Sequence, residues 1–345
     1  MSAYSYANRI LCFGEALIRL TPPDHERLEQ TNRLDFYIEG AEAITSLALA
    51  HQGENVAYLT VITDNRLGNR VLSTLRGAGV DTSRSIDKPG RMGVFYFERG
   101  MGDRISTLLY DRENTPITLA SRSDFDWDSL LNGINSFYFS GVLPALTEQS
   151  RLTVEDALIA CKGRGIKTFC DLNYRSRMWS QEVARRTMDR LLPYIDVCVG
   201  CDQDIWSLFP RAGADPSRTT TLDYVDYYRD IARGITQEYG CSTVAVELRS
   251  LGSSGIGKWQ GLILHEGEQA LTDVREVISQ EHSGCGDSFA AGIVHGVHQH
   301  WDARDIVNYA LTASVLKSTI PGSINYLSSE EIIQASKGSR PLVDY

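Results

Sequence analysis

The chain opens its pattern with a short apolar run, Arg9-Ile10-Leu11-Cys12-Phe13, stopped by Gly14, which predicts a buried strand. No G-x-G-x-x-G follows it, so a dinucleotide-binding turn is not indicated. The alternation then changes character. Residues 15–40 set polar and apolar side chains in turn around Thr21-Pro22-Pro23, and residues 92–112 do so around Gly100-Met101-Gly102-Asp103. That is the pattern of strands with one wet face, and the two regions together predict a small β-layer beside the main body. Elsewhere, helical periodicity over 41–51 and 66–77 alternates with short apolar strands over 55–62, 136–140, 166–170, 197–200 and 243–246. Strands separated by helices pair in parallel through crossovers, so the expected fold is α/β: a doubly wound, mainly parallel sheet flanked by helices.

Composition narrows the function classes. The 345 residues are 42% hydrophobic and 23% charged, ordinary values for a globular enzyme. A net charge of −10 without a basic tract argues against nucleic acid as a partner. It leaves room for a small anion, because a few nearby arginines outweigh distant, screened charges. No apolar run approaches the roughly 20 residues of a membrane span and the first residues lack a signal pattern, so a cytoplasmic protein without a membrane partner is expected. Seven cysteines, an odd number, suggest buried thiols in a reducing compartment. Cys198-Val-Gly-Cys201 has CxxC spacing but no second pair to complete a zinc site. His295, His298 and His300 fall near a helix end, where solvated or capping roles are expected before metal binding.

In doubly wound sheets, ligands bind beyond the carboxyl ends of the strands. Polar groups just past those ends are Asp171, Asn173 and Arg175, then Asp202 and Asp204, then Arg249. The most informative stretch is Glu281-His-Ser-Gly284-Cys285-Gly286-Asp287-Ser-Phe289, small residues running into an apolar-periodic helix. Such a junction presents unpartnered N–H groups and the positive end of the helix dipole, a phosphate site. Asp287 within it has two open readings: a helix cap, or a base that takes a proton from an attacking hydroxyl. Gly252-Ser-Ser-Gly-Ile-Gly257-Lys258 matches a P-loop pattern, but Trp259 replaces the Mg²⁺-binding hydroxyl and the following residues pattern as a strand. A hairpin turn is expected there instead.

Gly284-Cys-Gly-Asp287, the late helix, the split β-layer and Asp171-x-Asn173-x-Arg175 together resemble the ribokinase-like (PfkB) carbohydrate kinases over nearly the whole chain. Within that family the likeness is greatest to 2-keto-3-deoxygluconate kinases, through Gly40-Ala-Glu-Ala43, Gly90-Arg-Met-Gly93, Tyr110-Asp-Arg112, Ser140-Gly141 and Leu316-Lys-Ser-Thr-Ile-Pro-Gly322. The resemblance implies an ATP- and Mg²⁺-dependent kinase acting on a primary hydroxyl of a sugar acid. It implies a domain of residues 1–14, 41–90 and 118–345 binding nucleotide and substrate, and a β lid of 15–40 and 91–117 that also allows a homodimer. Asp287 is then the catalytic base, and Gly284, Cys285 and Gly286 form the anion hole. Gly40, Ala41, Phe95, Tyr110, Arg112 and Arg175 face the sugar, and Asp204, Arg249, Gly284, Gly286 and Lys317 face the nucleotide. Asp204 serves Mg²⁺ indirectly through water. Two guanidinium groups suit a sugar-acid carboxylate.

The chain departs from the family pattern at several places. Glu39 and Ile44 alter the Gly-Gly-Ala-x-x-Asn turn, Phe95 stands at a tyrosine position, Cys201 and Asp204 replace Asn and Glu of Asn-x-x-Glu, and Glu247 replaces a threonine. These departures keep two other readings open: a kinase for a neutral sugar such as fructose, and a non-catalytic sugar or nucleotide sensor.

Overall fold

The computed structural model describes residues 8–210, 221–251 and 256–338. Its strands are β1 (Arg9–Phe13), β2 (Leu17–Thr21), β3 (Asp35–Glu39), β4 (Asn55–Leu59), β5 (Val61–Thr63), β6 (Ile86–Lys88), β7 (Val94–Glu98), β8 (Thr107–Asp111), β9 (Ser136–Ser140), β10 (Lys167–Asp171), β11 (Val197–Cys201), β12 (Thr243–Leu251), β13 (Gly257–His265), β14 (Glu268–Leu271) and β15 (Arg275–Val277). The principal helices are α1 (Ala41–His51), α2 (Arg66–Gly77), α3 (Trp127–Leu130), α4 (Val142–Leu146), α5 (Glu148–Arg164), α6 (Gln181–Leu191), α7 (Asp202–Leu208), α8 (Val225–Tyr239), α9 (Cys285–His298), α10 (Ala303–Lys317) and α11 (Ser329–Ser336).

The large sheet runs in the order β14-β13-β12-β11-β10-β9-β1-β4, with β15 added on β13. Its strands from β4 to β12 are parallel neighbours, and β13 turns antiparallel on β12. Strand alternation explains why both faces are covered. In β1, Leu11 and Phe13 enter the core under α5 and α6, while Ile10 and Cys12 enter the opposite core under α1, α9 and α10. Local signals fix the flanking helices. Asn65 accepts from Leu67 and Gly68 N–H at the start of α2, Asp302 from Asp305 N–H at the start of α10, and Gly165 ends α5 at φ 66°.

The second sheet has the order β3-β2-β7-β8, built from the two half-exposed regions. The expected strand over 55–62 is two strands broken at Thr60. Leu59 carbonyl accepts from Gly14 N–H, and Thr60 carbonyl from Ile86 N–H, so the chain leaves the main sheet there and β5 pairs with β6 apart from it. Where the P-loop pattern falls, β12 and β13 pair antiparallel through Leu251 and Gly257, and Gly252–Gly255 lie outside the described residues.

The histidine expectation needs correction. His295 and His298 are buried, not solvated, because their spacing on α9 turns both toward Glu54. His295 Nδ1 lies 2.6 Å from Glu54 Oε1 and His298 Nδ1 3.2 Å from Oε2. Their Nε2 atoms meet Ser329 Oγ at 3.0 Å and Ser136 Oγ at 2.9 Å. His300 is the exposed member of the group.

Candidate active site

Two cavities open at the carboxyl edge of the main sheet. A smaller one of about 230 Å³ is lined by Asp171, Asn173, Asp204, Glu247, Arg249, Gly284, Gly286 and Asp287 among others. A larger one of about 540 Å³ lies under the four-stranded sheet and takes Glu15, Glu39, Gly40, Ala41, Phe95, Tyr110 and Arg112 into its wall. Arg175, His282, Ser283, Gly284 and Asp287 belong to both. Asp287 therefore stands on the partition between them.

The turn into α9 is set by backbone geometry. Gly284 is the N-cap at φ 77°, and a Cβ there would lie 1.9 Å from the Ser323 carbonyl oxygen. A side chain is excluded twice, by the left-handed backbone and by Ser323. At Gly286 a Cβ would meet nothing within 4 Å, so glycine there keeps the cavity floor clear. No side chain caps the helix. Asp287 is its third residue and faces the cavities, so of the two open readings the capping one is removed. The helix start lacks a side-chain acceptor, which leaves its N–H groups available to an anion. The Cys285 N–H donates to His282 carbonyl at 3.4 Å, a long bond. Its side chain points into the core, with Sγ 3.5 Å from Glu281 carbonyl and burial pushing the thiol up to about 12. Cys285 thus contributes backbone to the turn and nothing to the cavity surface.

Burial pushes the Asp287 carboxyl up to about 7, with Arg175 pulling down and Glu39 pushing up. A carboxylate near neutrality is suited to proton abstraction. Glu42, wholly buried beneath, is also pushed up by burial to about 7, and its Oε1 accepts from Ser140 N–H at 2.9 Å and Ser140 Oγ–H at 2.7 Å. Asp171 is raised well above the carboxylate range by burial and by the Asp204 and Asp287 charges.

The two arginines expected to act as a pair differ. Arg112 is committed: its Nη2 contacts buried Glu15 and its Nη1 lies 3.7 Å from Met178 Sδ. Arg175 is exposed and its side chain has no hydrogen bond or ion pair among the described residues. Phe95 and Tyr110 pack at 5.5 Å beside Arg112 and form the wall on the side of the four-stranded sheet. Glu39 does not present a bare charge to the larger cavity. Arg19, fully buried, holds it at 3.2 Å, and Ser323 Oγ–H donates to the same oxygen. Ile44 is buried in the core below and lies outside the cavity wall.

Asp204 serves two ends at once. It accepts Tyr174 N–H at 2.8 Å and Cys201 N–H at 3.0 Å, closing a capping box on α7, and it lines the smaller cavity. Lys317 is not brought to either cavity wall: it is fully buried, with Nζ donating to Ile320 carbonyl at 3.0 Å. Glu15, Arg19 and Glu42 were missed from sequence, although Glu15 immediately follows the first strand, where the strand-end rule points.

Known proteins share this fold and much of this sequence. The model described as pfkB family carbohydrate kinase matches residues 7–330. The chain is 29% identical over 335 residues to a 2-dehydro-3-deoxygalactonokinase of Haloferax volcanii, covering 97% of this chain and 98% of the relative. It is 25% identical to a 2-dehydro-3-deoxygluconokinase of Thermoproteus tenax, covering 94% of each. The crystal structure of 2-dehydro-3-deoxygluconokinase from Thermotoga maritima superposes with a TM-score of 0.90 at 34% identity, covering 96% of this chain and 100% of that one. A mainly parallel α/β sheet with a separate small sheet is the fold shared with this neighbour, and the chain belongs to the pfkB family of carbohydrate kinases.

Proposed function

We propose that the protein transfers the γ-phosphoryl group of ATP to a primary hydroxyl of a 2-keto-3-deoxy sugar acid, of the gluconate type or its galactonate epimer. The observation that carries this reading is the partition: Asp287 and Gly284 face both cavities, so a hydroxyl held on one side and a phosphate on the other meet at the base. The names of the relatives support the acid substrate. So does Arg175, an unpaired guanidinium on the same wall.

In this reading the sugar lies in the larger cavity against Gly40, Ala41, Phe95 and Tyr110, with its carboxylate on Arg175. Arg112, neutralised by Glu15, presents a rigid polar edge to the hydroxyls. ATP enters the smaller cavity past Asp204 and Arg249. Asp287 takes the hydroxyl proton as the sugar oxygen attacks phosphorus, and the bond from phosphorus to the bridging oxygen of ADP breaks. The N–H groups at Gly284 and Gly286 stabilise the charge spread over the transferring oxygens. The residues present fit Mg²⁺: Asp171 and Asp204 offer carboxylate oxygens, and the buried Asn173 Oδ1 has no partner among the described residues. Held by these residues, the ion would neutralise phosphate charge. The four-stranded sheet acts as the lid that excludes water. Its exposed Met101, Ile105 and Leu109 suit pairing with a second copy, which sedimentation would test. Among the described residues no helix is long and apolar enough to cross a membrane.

A coupled ADP-release assay over sugar acids and neutral ketoses tests the proposal. Turnover on a 2-keto-3-deoxy acid that is abolished in Asp287→Asn supports it. No turnover on any anionic sugar sinks it, and activity retained in Asp287→Asn removes the base.

A further inference from the structure

Glu247 and Arg249 are two residues apart on β12 and therefore share a face, while Leu248 between them enters the core on the other. The Glu247 carboxylate, 1% exposed, accepts from Ser314 Oγ–H at 2.5 Å through Oε1 and from Arg249 Nη2 at 2.5 Å through Oε2. Directly across the antiparallel ladder from Arg249 sits Trp259, fully buried, with the guanidinium carbon 4.5 Å from its ring centroid. The guanidinium is thus fixed by a carboxylate, a hydroxyl from α10 and an aromatic face. Its Nε is buried without a hydrogen-bond partner. Its remaining edge lines the smaller cavity together with Gly284, Gly286 and Asp287.

A buried carboxylate that merely balanced Arg249 would be a poor source of stability, since removing both charges from water costs about as much as their attraction returns. A planar fork held on three sides and open on the fourth is instead the form of a phosphate receptor, because orientation is what lets an arginine bind two oxygens at once. We infer that Arg249 grips a phosphate of the nucleotide and that Glu247, with Trp259 and Ser314, is a positioning residue that aims it. This rests on the kinase reading and goes beyond it in assigning the residue that replaces the family's threonine. Glu247 touches no ligand in this scheme and acts through Arg249.

The test uses the full chain and two probes, ATP and inorganic tripolyphosphate, with adenosine as the control. Arg249→Lys keeps the charge and loses the fork. It is expected to weaken tripolyphosphate and ATP binding by roughly tenfold or more, with adenosine binding unchanged. Glu247→Gln keeps the acceptor for Ser314 and is expected to lower kcat by roughly tenfold or more, with a smaller change in KM for the sugar. Introducing Glu247→Gln into Arg249→Ala is expected to cost nothing further, the non-additivity of residues acting through one another. Equal tripolyphosphate affinity in Arg249→Lys and the parent overturns the inference. So does full additivity of Glu247→Gln with Arg249→Ala. Should Glu247→Gln not fold, as shown by its melting profile, the Arg249→Lys arm alone decides. A parent protein that binds neither ATP nor tripolyphosphate overturns the kinase reading itself, whereas loss of the Arg249 effect alone leaves that reading standing.

Discussion

Replacing the proposed base should make the protein more stable as it makes it inactive, and the size of that gain follows from the site. Burial raises the Asp287 carboxyl from 3.8 to about 7. Its native pKa lies above the unfolded one, so its favourable contribution is present below pH ~4 and is lost as pH rises toward 7. Three units at 1.36 kcal/mol each set a ceiling of about 4 kcal/mol for holding the charge in place at pH 8. At pH 5 the same linkage leaves about 2 kcal/mol, since the native carboxyl is then largely protonated. Asparagine has the shape of the protonated acid and carries no charge. Asp287→Asn is therefore expected to unfold at a higher denaturant midpoint than the parent at pH 8, with the advantage shrinking by about half at pH 5. Glu42 and Asp171 are raised in part by the Asp287 charge, so its removal relieves them too and adds to the gain at pH 8 in the same direction. The assay is urea unfolding of parent and variant at both pH values, with m compared to confirm a shared unfolding transition. A variant less stable than the parent at pH 8, or an advantage that does not shrink at pH 5, would refute the claim that the wall of the two cavities holds a strained charge. Turnover in the same variant should fall by about 10² to 10⁴, the span usual for a general base.

Other outcomes follow from the same geometry. In the parent, kcat/KM should rise with pH through about 7, the region where Asp287 loses its proton, and a flat profile from pH 5 to 8 would exclude it as the base. Arg175→Ala should lower kcat/KM for the sugar acid by roughly 10 to 100-fold while stability is kept, because the side chain is exposed and unpaired. Arg112→Ala should instead cost about 3–5 kcal/mol of stability, since it strands the buried Glu15 charge; urea titration separates the two. Gly284→Ala meets the Ser323 carbonyl at a left-handed position and should remove activity while costing more than the about 1–3 kcal/mol of the backbone conformation alone. Burial works to raise Glu54, but the hydrogen bonds from His295 and His298 hold it down at about 2. Its contribution is therefore present above pH ~4.5 and lost as pH falls toward 2, so Glu54→Gln should lower Tm at pH 7 and converge with the parent near pH 2.5.

What could be seen beforehand was governed by how local the cause is. The bounds of α1 and α2 and the two half-exposed β-regions follow from periodicity, caps and turn residues within a few positions, and they were legible. The break at Thr60 was not, because it depends on Ile86 arriving from 26 residues away to claim its carbonyl. The glycine turn that opens α9 was legible through backbone rules that need no tertiary partner. The states of Arg112, Glu39 and the histidines could not be read, since each is decided by a partner far along the chain: Glu15, Arg19 and Glu54. Glu247 looked like an anomaly at its position and became intelligible once Ser314 and Arg249 were placed beside it.

The shared wall has a consequence for inhibition. Because the cavities of about 230 and 540 Å³ meet at Asp287, Gly284 and Arg175, a single molecule joining a sugar acid to a polyphosphate would span both with a short tether. Its second half would arrive at an effective concentration in the millimolar range or above, so its affinity would far exceed that of either half alone. Such a compound would also report the reaction's path, since the tether length that binds most tightly measures the distance the phosphoryl group has to cross.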